Sequence, residues 1–138
     1  MLDLKISDQH MMKVARVQYY LAAASTAIAG GLHLTVAANV LASRTDLGIF
    51  FVIAGAAQLF FVVPMLRQWG RSWYYTGVIG TAILIIVWLG TRIPSGFSRP
   101  LPIETTGILV QIFQFAYLLS TIRILQTLAT PTKEINRS

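Results

Sequence analysis

The chain has 138 residues, of which 55% are hydrophobic and 12% charged, with a net charge of +6 at pH 7. Soluble domains carry about 25% charged residues, and a chain of this length could not bury so much apolar surface in a soluble core. The composition therefore excludes an ordinary soluble domain, and the absence of cysteine excludes disulfides, iron–sulfur clusters and thiolate chemistry.

Residues 1–16 mix charged and apolar side chains, as in the alternation of Leu2 and Leu4 with Asp3 and Lys5. This pattern is typical of a short amphipathic helix at a membrane interface, with an ordered tail as the alternative. The apolar stretch that follows runs to Ala42, which is longer than the signal-peptide core of about 7–15 residues. We therefore predict an uncleaved membrane helix.

The first membrane helix is predicted over residues 17–42 and carries two faces of small side chains. The first face consists of Ala23, Ala27, Gly31 and Thr35. The second, about 200° around the helix from the first, consists of Thr26, Gly30, His33 and Ala37. Small faces let helices approach closely in lipid, so we expect this helix to be the centre of the bundle, packed on two sides.

Three further apolar segments follow, and their lengths suit helices that cross a bilayer. We predict these helices over residues 47–66, 73–91 and 103–128, followed by a polar tail over 129–138. Pro64 kinks or ends the second of them, and the prolines of residues 92–102 prevent the third from continuing. The predicted fold class is all-α: a four-transmembrane-helix bundle over 17–128, preceded by the short amphipathic segment.

The basic residues set the orientation. Eight lie on the side of the two termini: Lys5, Lys13, Arg16, Arg67, Arg71, Arg123, Lys133 and Arg137. Three lie on the other side: Arg44, Arg92 and Arg99. The positive-inside rule therefore predicts a multi-pass protein of the cell membrane with cytoplasmic N and C termini. The same rule explains the positive charge without nucleic acid, for which the chain has no basic stripe or motif.

Polar side chains inside the predicted helices form an intramembrane set: His33, Asn39, Gln58, Gln111 and Gln114. A second set lies at the outer rim: Asp46, Trp88, Arg92, Arg99 and Glu104. Buried polar groups without partners are costly, so we expect the intramembrane set to face inward as a network, with Asn39 nearest the outer surface. Glu104 is expected to form an ion pair with Arg92 or Arg99.

Three interpretations of His33 remain open. In one, the imidazole and the glutamines are hydrogen-bonded and fasten the helices together. In another, His33 binds haem or copper, since imidazole is a good ligand for both iron and copper. His10 lies on the other side of the membrane segment, so a bis-histidine haem would need a second copy of the chain. In the third, the polar side chains form a path for protons or a small solute.

The intramembrane residues include no nucleophile–base pair, phosphate-binding loop or paired carboxylates. We therefore expect that the chain is not an enzyme by itself, although it could be a non-catalytic subunit of one. No cofactor is expected, with haem or copper at His33 as the alternative.

Several blocks resemble a family of small four-helix membrane proteins of archaea and actinobacteria whose activity is uncharacterised. They are Gly30–Leu34, Phe50–Gln58, Gly77–Trp88, Thr91–Gly96 and Glu104–Gly107, within residues 20–120. The resemblance implies a four-helix architecture, with five polar positions typical of the family: His33, Gln58, Trp88, Arg92 and Glu104. The chain also looks like the extra subunits around the copper-containing ammonia monooxygenase of archaea, without the metal-binding patterns of its core subunits.

The sequence thus predicts a non-catalytic accessory or structural subunit of a larger membrane complex, ammonia monooxygenase being one candidate. Its partners would be other membrane subunits and the lipid bilayer. A haem- or metal-binding protein that uses His33, as a homo-oligomer, is the alternative function. A small transporter or channel is the third.

Overall fold

The computed structural model describes residues 2–93 and 102–129, with side chains from residue 13 onward. In this part of the chain there are four α-helices and no strands. The helices are α1 (Leu2–Val40), α2 (Thr45–Arg67), α3 (Arg71–Gly90) and α4 (Thr105–Ala129). The predicted all-α four-helix fold is confirmed.

The helix bounds differ from the predicted ones by at most two residues, apart from the start of α1. This helix runs without a break from Leu2 to Val40, so the segment predicted at 1–16 continues directly into the membrane helix. Its 39 residues span about 58 Å, far more than the bilayer core of about 30 Å. Most of the predicted loop at 92–102 and of the tail at 129–138 lies outside the described residues.

All four helices are long and apolar enough to cross a membrane, with candidate spans Lys13–Val40, Thr45–Arg67, Arg71–Gly90 and Thr105–Ala129. Large apolar side chains cover their outer faces, as Ile53, Ile86 and Leu119 do with more than 60% of their surface exposed. An apolar exterior is what lipid requires of a membrane bundle. The architecture is therefore that of a multi-pass integral membrane protein.

Helix α1 is the centre of the bundle, as its small faces predicted. It packs along both α2 and α4. Helix α3 lies at the edge of the bundle, where it makes fewer contacts with α4 and fewest with α2. The face that carries Gly30, His33 and Ala37 is buried. On the other small face, Ala23 is buried but Gly31 is exposed. Among the described residues, the part of this face around Gly31 therefore has no packed neighbour.

Helices α1 and α2 come closest at a pair of glycines. A Cβ atom on Gly30 would lie 2.9 Å from the backbone oxygen of Gly55, and one on Gly55 would lie 2.9 Å from the oxygen of Gly30. Backbone oxygens cannot rotate away as side chains do, so neither position accepts a side chain without moving a helix. By contrast, a Cβ atom on Gly31 would meet nothing within 4 Å.

The apolar core occupies the half of the bundle that holds both termini. It contains Ala22, Ala23, Met65, Tyr74, Tyr117, Ile124 and Leu125. Tyr74 and Tyr117 are each 1% exposed, and Met65 is 0% exposed. The apolar packing is therefore concentrated in this half of the bundle, whereas the buried polar residues His33 and Gln114 lie toward the opposite end.

Candidate functional site: a cavity toward the end of the bundle opposite the termini

His33 on α1 makes a direct contact with Gln114 on α4. The imidazole Nε2 and the amide Nε2 of Gln114 are 3.3 Å apart, and both side chains are buried. The imidazole also stacks on Phe51 of α2, with ring centroids 5.6 Å apart and planes 24° from parallel. His33 thereby touches both helices that flank α1.

An amide nitrogen can only donate a hydrogen bond, so Nε2 of His33 is the acceptor in its contact with Gln114. In a neutral imidazole the proton then resides on Nδ1. Nδ1 is buried and has no hydrogen-bond partner. His33 therefore presents an unused N–H donor close to the middle of the bundle.

The other members of the predicted intramembrane set are not joined to this pair. Gln58 is buried, but its side-chain oxygen has no partner, and its backbone oxygen accepts a hydrogen bond from Thr26 at 2.9 Å. The side-chain oxygen of Gln111 is also buried without a partner. Asn39 is exposed. Among these described residues, the structure joins only His33 and Gln114 directly, because the other side chains point around the helices in different directions.

A cavity of about 130 Å³ lies between His33 and the end of the bundle opposite the termini, and we call it the outer cavity. Its polar lining residues are His33 from α1, Trp88 and Arg92 from the end of α3, and Glu104 before α4. Its remaining lining residues are Val36, Val40, Leu47, Phe51, Pro102, Gly107 and Val110. Four polar positions that stand far apart in the sequence thus line one small space.

Arg92 is held in place by its own helix end. Its guanidinium carbon lies 4.6 Å from the centre of the Trp88 ring. Nη1 donates to the Thr91 hydroxyl and, at 3.4 Å, to the backbone oxygen of Trp88. Nε is buried and has no partner. The guanidinium is therefore held in one orientation against the face of the Trp88 ring, and its Nε–H donor remains unpaired.

Partial burial lowers the pKa of the Arg92 guanidinium, and the negative charge of Glu104 opposes this shift. The two groups feel each other electrostatically, but no ion pair within 4.0 Å joins them in the described part of the chain, where the ion pair present is Arg44–Asp46 at 3.6 Å. The predicted pairing of Glu104 with Arg92 therefore appears only as a longer-range interaction. Arg99, the other predicted partner, lies outside the described residues.

Gly107 lets Trp88 approach the first turn of α4. A Cβ atom on Gly107 would lie 2.9 Å from the indole nitrogen of Trp88 and 3.7 Å from Nη2 of Arg92. The indole nitrogen is itself buried without a partner. Gly107 is absent from the site residues that the sequence predicts, although glycine is the residue that permits a close approach to the backbone.

The described residues of the predicted outer rim occupy different surroundings. Trp88, Arg92 and Glu104 line the cavity, whereas Asp46 is exposed and pairs with Arg44 on the helix-connecting turn. Helix α2 begins at Thr45, so Asp46 lies within its first turn and not before it. A carboxylate in that position is favourable because it complements the helix dipole.

No described group of three or more His, Cys, Asp or Glu side chains could hold a metal ion. His33 is the one imidazole whose surroundings are described, and its buried Nδ1 has no hydrogen-bond partner among the described residues. Haem or copper at His33 stays a prediction that this geometry does not test.

A second space, the α2–α3 cleft, measures about 210 Å³ and is lined by Thr26, Phe50, Ile53, Ala54, Ala57, Gln58, Phe61, Gly77, Gly80, Thr81 and Leu84. It exists because α3 packs only sparsely on α2. The unpartnered oxygen of Gln58 belongs to a residue of its wall.

Comparisons with known proteins find no matching family model, no matching curated protein and no matching solved structure. The family resemblance and the likeness to ammonia monooxygenase subunits therefore stay predictions.

Proposed function

We propose that this chain is a non-catalytic protein of the cell membrane, with cytoplasmic termini, that binds a small ligand in the outer cavity. The proposal rests on one observation: His33, Trp88 and Arg92 line a single cavity, and each has a buried nitrogen without a hydrogen-bond partner. An unpaired buried polar group costs about 1–3 kcal/mol. A ligand that paired these donors would recover part of that cost and stabilise the bundle.

The packed apolar core supports binding in preference to conduction. Met65, Tyr74 and Tyr117 are almost fully buried in the half of the bundle that holds the termini. Glu104 and Pro102, by contrast, are exposed at the mouth of the outer cavity. A ligand would enter and leave from the side opposite the termini.

The test is a matched pair of substitutions in the full chain, purified in detergent. Val36→Phe would fill the outer cavity, whereas Val63→Phe adds the same ring to an exposed position of α2. Small molecules screened by thermal unfolding should include some that stabilise the unmodified chain and Val63→Phe but not Val36→Phe. If no compound raises the unfolding temperature, or if Val36→Phe responds like Val63→Phe, the proposal is wrong.

A second function, an accessory subunit of a larger membrane complex, is favoured by the α2–α3 cleft. A partner helix that placed a donor side chain in the cleft would satisfy the Gln58 oxygen and cover the sparsely packed side of α3. Gly80→Leu would fill this cleft, because a Cβ atom on Gly80 meets nothing within 4 Å. Gentle purification from native membranes should then lose the co-purifying bands with Gly80→Leu and keep them with Ile86→Leu, which changes an exposed position.

The same preparation tests the remaining alternatives. Copper-containing core subunits among the bands would support the ammonia monooxygenase complex, and an absorption spectrum with metal analysis would detect haem or copper bound through His33. A colourless, metal-free preparation without other bands would argue against a complex and against the haem or copper alternative alike.

A further inference from the structure

We propose that the ligand of the outer cavity is a monocarboxylate with a short apolar tail. This inference rests on the proposed function and names the chemical class of the ligand. It follows from the character of the unpaired groups, from a helix terminus beside them and from the apolar remainder of the wall.

The unpaired buried groups of the cavity wall are all donors. They are Nε1–H of Trp88, Nε–H of Arg92 and, in the tautomer whose Nε2 accepts from Gln114, Nδ1–H of His33. Donors without acceptors call for a ligand group that only accepts hydrogen bonds, and the guanidinium adds a positive charge. An ionised carboxylate is the common organic group that is both anionic and acceptor-only.

Arg92 is prepared for this role by its surroundings. The stacking on Trp88 and the two hydrogen bonds of Nη1 immobilise the guanidinium before a ligand arrives. Guanidinium edges match the two oxygens of a carboxylate, and such charge-assisted pairs are stronger than neutral ones.

The first turn of α4 adds to the attraction. Gly107 lies in this turn and lines the cavity, and α4 is 25 residues long. Backbone N–H groups at the start of a helix lack partners within the helix and carry the positive end of its dipole, which favours an anion. The buried, unpartnered Nδ1 of His33, a residue only 7% exposed, is the independent sign that this cavity takes a ligand.

The apolar side of the wall and its size define the rest of the molecule. Val36, Val40, Leu47, Phe51 and Val110 would surround an apolar tail. The volume of about 130 Å³ is well below the roughly 300–1,000 Å³ of sites that take drug-sized ligands, so the enclosed tail is short. A single cation with an apolar wall also suits a monoanion better than a doubly charged phosphate.

Glu104 is the acidic residue of the wall, and it works against an anion. Its side chain is exposed at the mouth and is not ion-paired with Arg92. We expect it to weaken carboxylate binding without occupying the site. Glu104→Gln should therefore bind a carboxylate about two- to threefold more tightly, since an exposed charge nearby contributes little.

The experiment titrates the purified full chain, in nanodiscs, with butyrate, its neutral analogues butanol and butyramide, and inorganic phosphate. Calorimetry should show butyrate binding at least about tenfold more tightly than the neutral analogues, because only the anion forms the charged pair. Arg92→Gln should remove this preference, and Trp88→Phe, which keeps the stacked ring but loses the N–H, should weaken butyrate binding about threefold or more. Arg44→Gln, at an exposed rim arginine, is the control and should bind as the unmodified chain does.

Decanoate and oleate identify the source of the carboxylate. Binding of butyrate supports a water-soluble short-chain acid, whereas binding of the long acids alone would overturn the short tail and indicate a fatty acid from the bilayer. If butanol or butyramide binds as tightly as butyrate, or if phosphate binds more tightly, the carboxylate assignment is wrong while the cavity still binds a ligand. If nothing binds and no screened compound stabilises the chain, the proposed function fails as well.

Discussion

The attachment of α3 to the bundle depends on Gly77, and Gly77→Ala should break it. A Cβ atom at this position would fall on the phenol oxygen of Tyr117 in α4, with a ring carbon of Phe61 at 3.1 Å. Tyr117 is 1% exposed, so its ring has no free space into which it could turn. The substitution can be accommodated only if α3 moves away from α4.

The expected loss of stability is about 2 kcal/mol. Overpacking a close-packed contact costs about 1–3 kcal/mol, and the rigid ring places this case at the upper end. Replacing a helical glycine by alanine returns about 1 kcal/mol of helix propensity. The matched control is Gly80→Ala, one turn later on the same helix, where a Cβ atom meets nothing within 4 Å. It should be neutral or stabilising by up to about 1 kcal/mol.

A second substitution identifies the cause. The Tyr117 hydroxyl is buried without a hydrogen-bond partner, so Tyr117→Phe alone should change stability by less than about 1 kcal/mol. The double variant Gly77→Ala/Tyr117→Phe should recover most of the loss, because the atom that clashes is gone. Unfolding in detergent, followed by circular dichroism against temperature or added dodecyl sulfate, measures all four variants. Equal stability of Gly77→Ala and Gly80→Ala, or a double variant as unstable as Gly77→Ala, would refute the close contact of α3 with α4.

Three more predictions follow from the same contacts. Gly30→Ala should destabilise the bundle by about 2 kcal/mol in the same unfolding assay because its Cβ atom meets backbone, whereas Gly31→Ala should not. His33→Gln should retain assembly, with less than about 1 kcal/mol lost, since one interhelical hydrogen bond contributes about 0.6 kcal/mol; if His33 instead binds haem or copper, the same variant loses the absorption band or the metal. For the orientation, Ser43→Cys should react with a membrane-impermeant maleimide added to intact cells and Ser72→Cys should not, because cytoplasmic termini place Ser43 outside and Ser72 inside the cell. The unmodified chain has no cysteine, so any labelling reports the introduced residue. The reverse labelling would refute cytoplasmic termini.

The fold was predictable because a bilayer imposes it. Four apolar stretches of about twenty residues leave helices as the natural solution, since every backbone group must be paired inside the segment. The bounds predicted for the helices located the turns after α1 and after α2 to within two residues, although α2 continues through Pro64 to Arg67. The start of α1 was missed because the charged residues before position 17 look like an interface, although they continue the same helix.

The candidate site was only half predictable, because hydropathy gives depth but not direction around a helix. Depth alone grouped His33 with Gln58, Gln111 and Gln114, yet among these described residues only Gln114 meets the imidazole. Rotation about each helix axis places Gln58 on the α2–α3 cleft. The same limit hid which glycine of the Gly30–Gly31 pair makes the contact with α2.

Depth also separated residues that the structure joins. His33 counted as intramembrane, and Trp88, Arg92 and Glu104 counted as outer rim, so the sequence offered two sets where there is one cavity. The indole of Trp88 and the guanidinium of Arg92 lie close to Gly107 of α4. They can do so because Gly107 has no side chain to occupy that space. A glycine opposite two long side chains on the next helix is a pattern that sequence alone does not connect.

Apolar packing and the proposed ligand site lie in opposite halves of the bundle. Packing is concentrated near the termini, where Met65, Tyr74 and Tyr117 are almost fully buried. The outer cavity lies at the other end, where His33 contacts Gln114 of α4 and Phe51 of α2. Because substitutions far apart act independently, changes at Arg92 should alter binding while the packed half still holds the helices together. A variant that loses ligand binding but keeps its unfolding temperature would therefore indicate a ligand site. A hydrogen-bond network that only holds the helices together would lose stability instead.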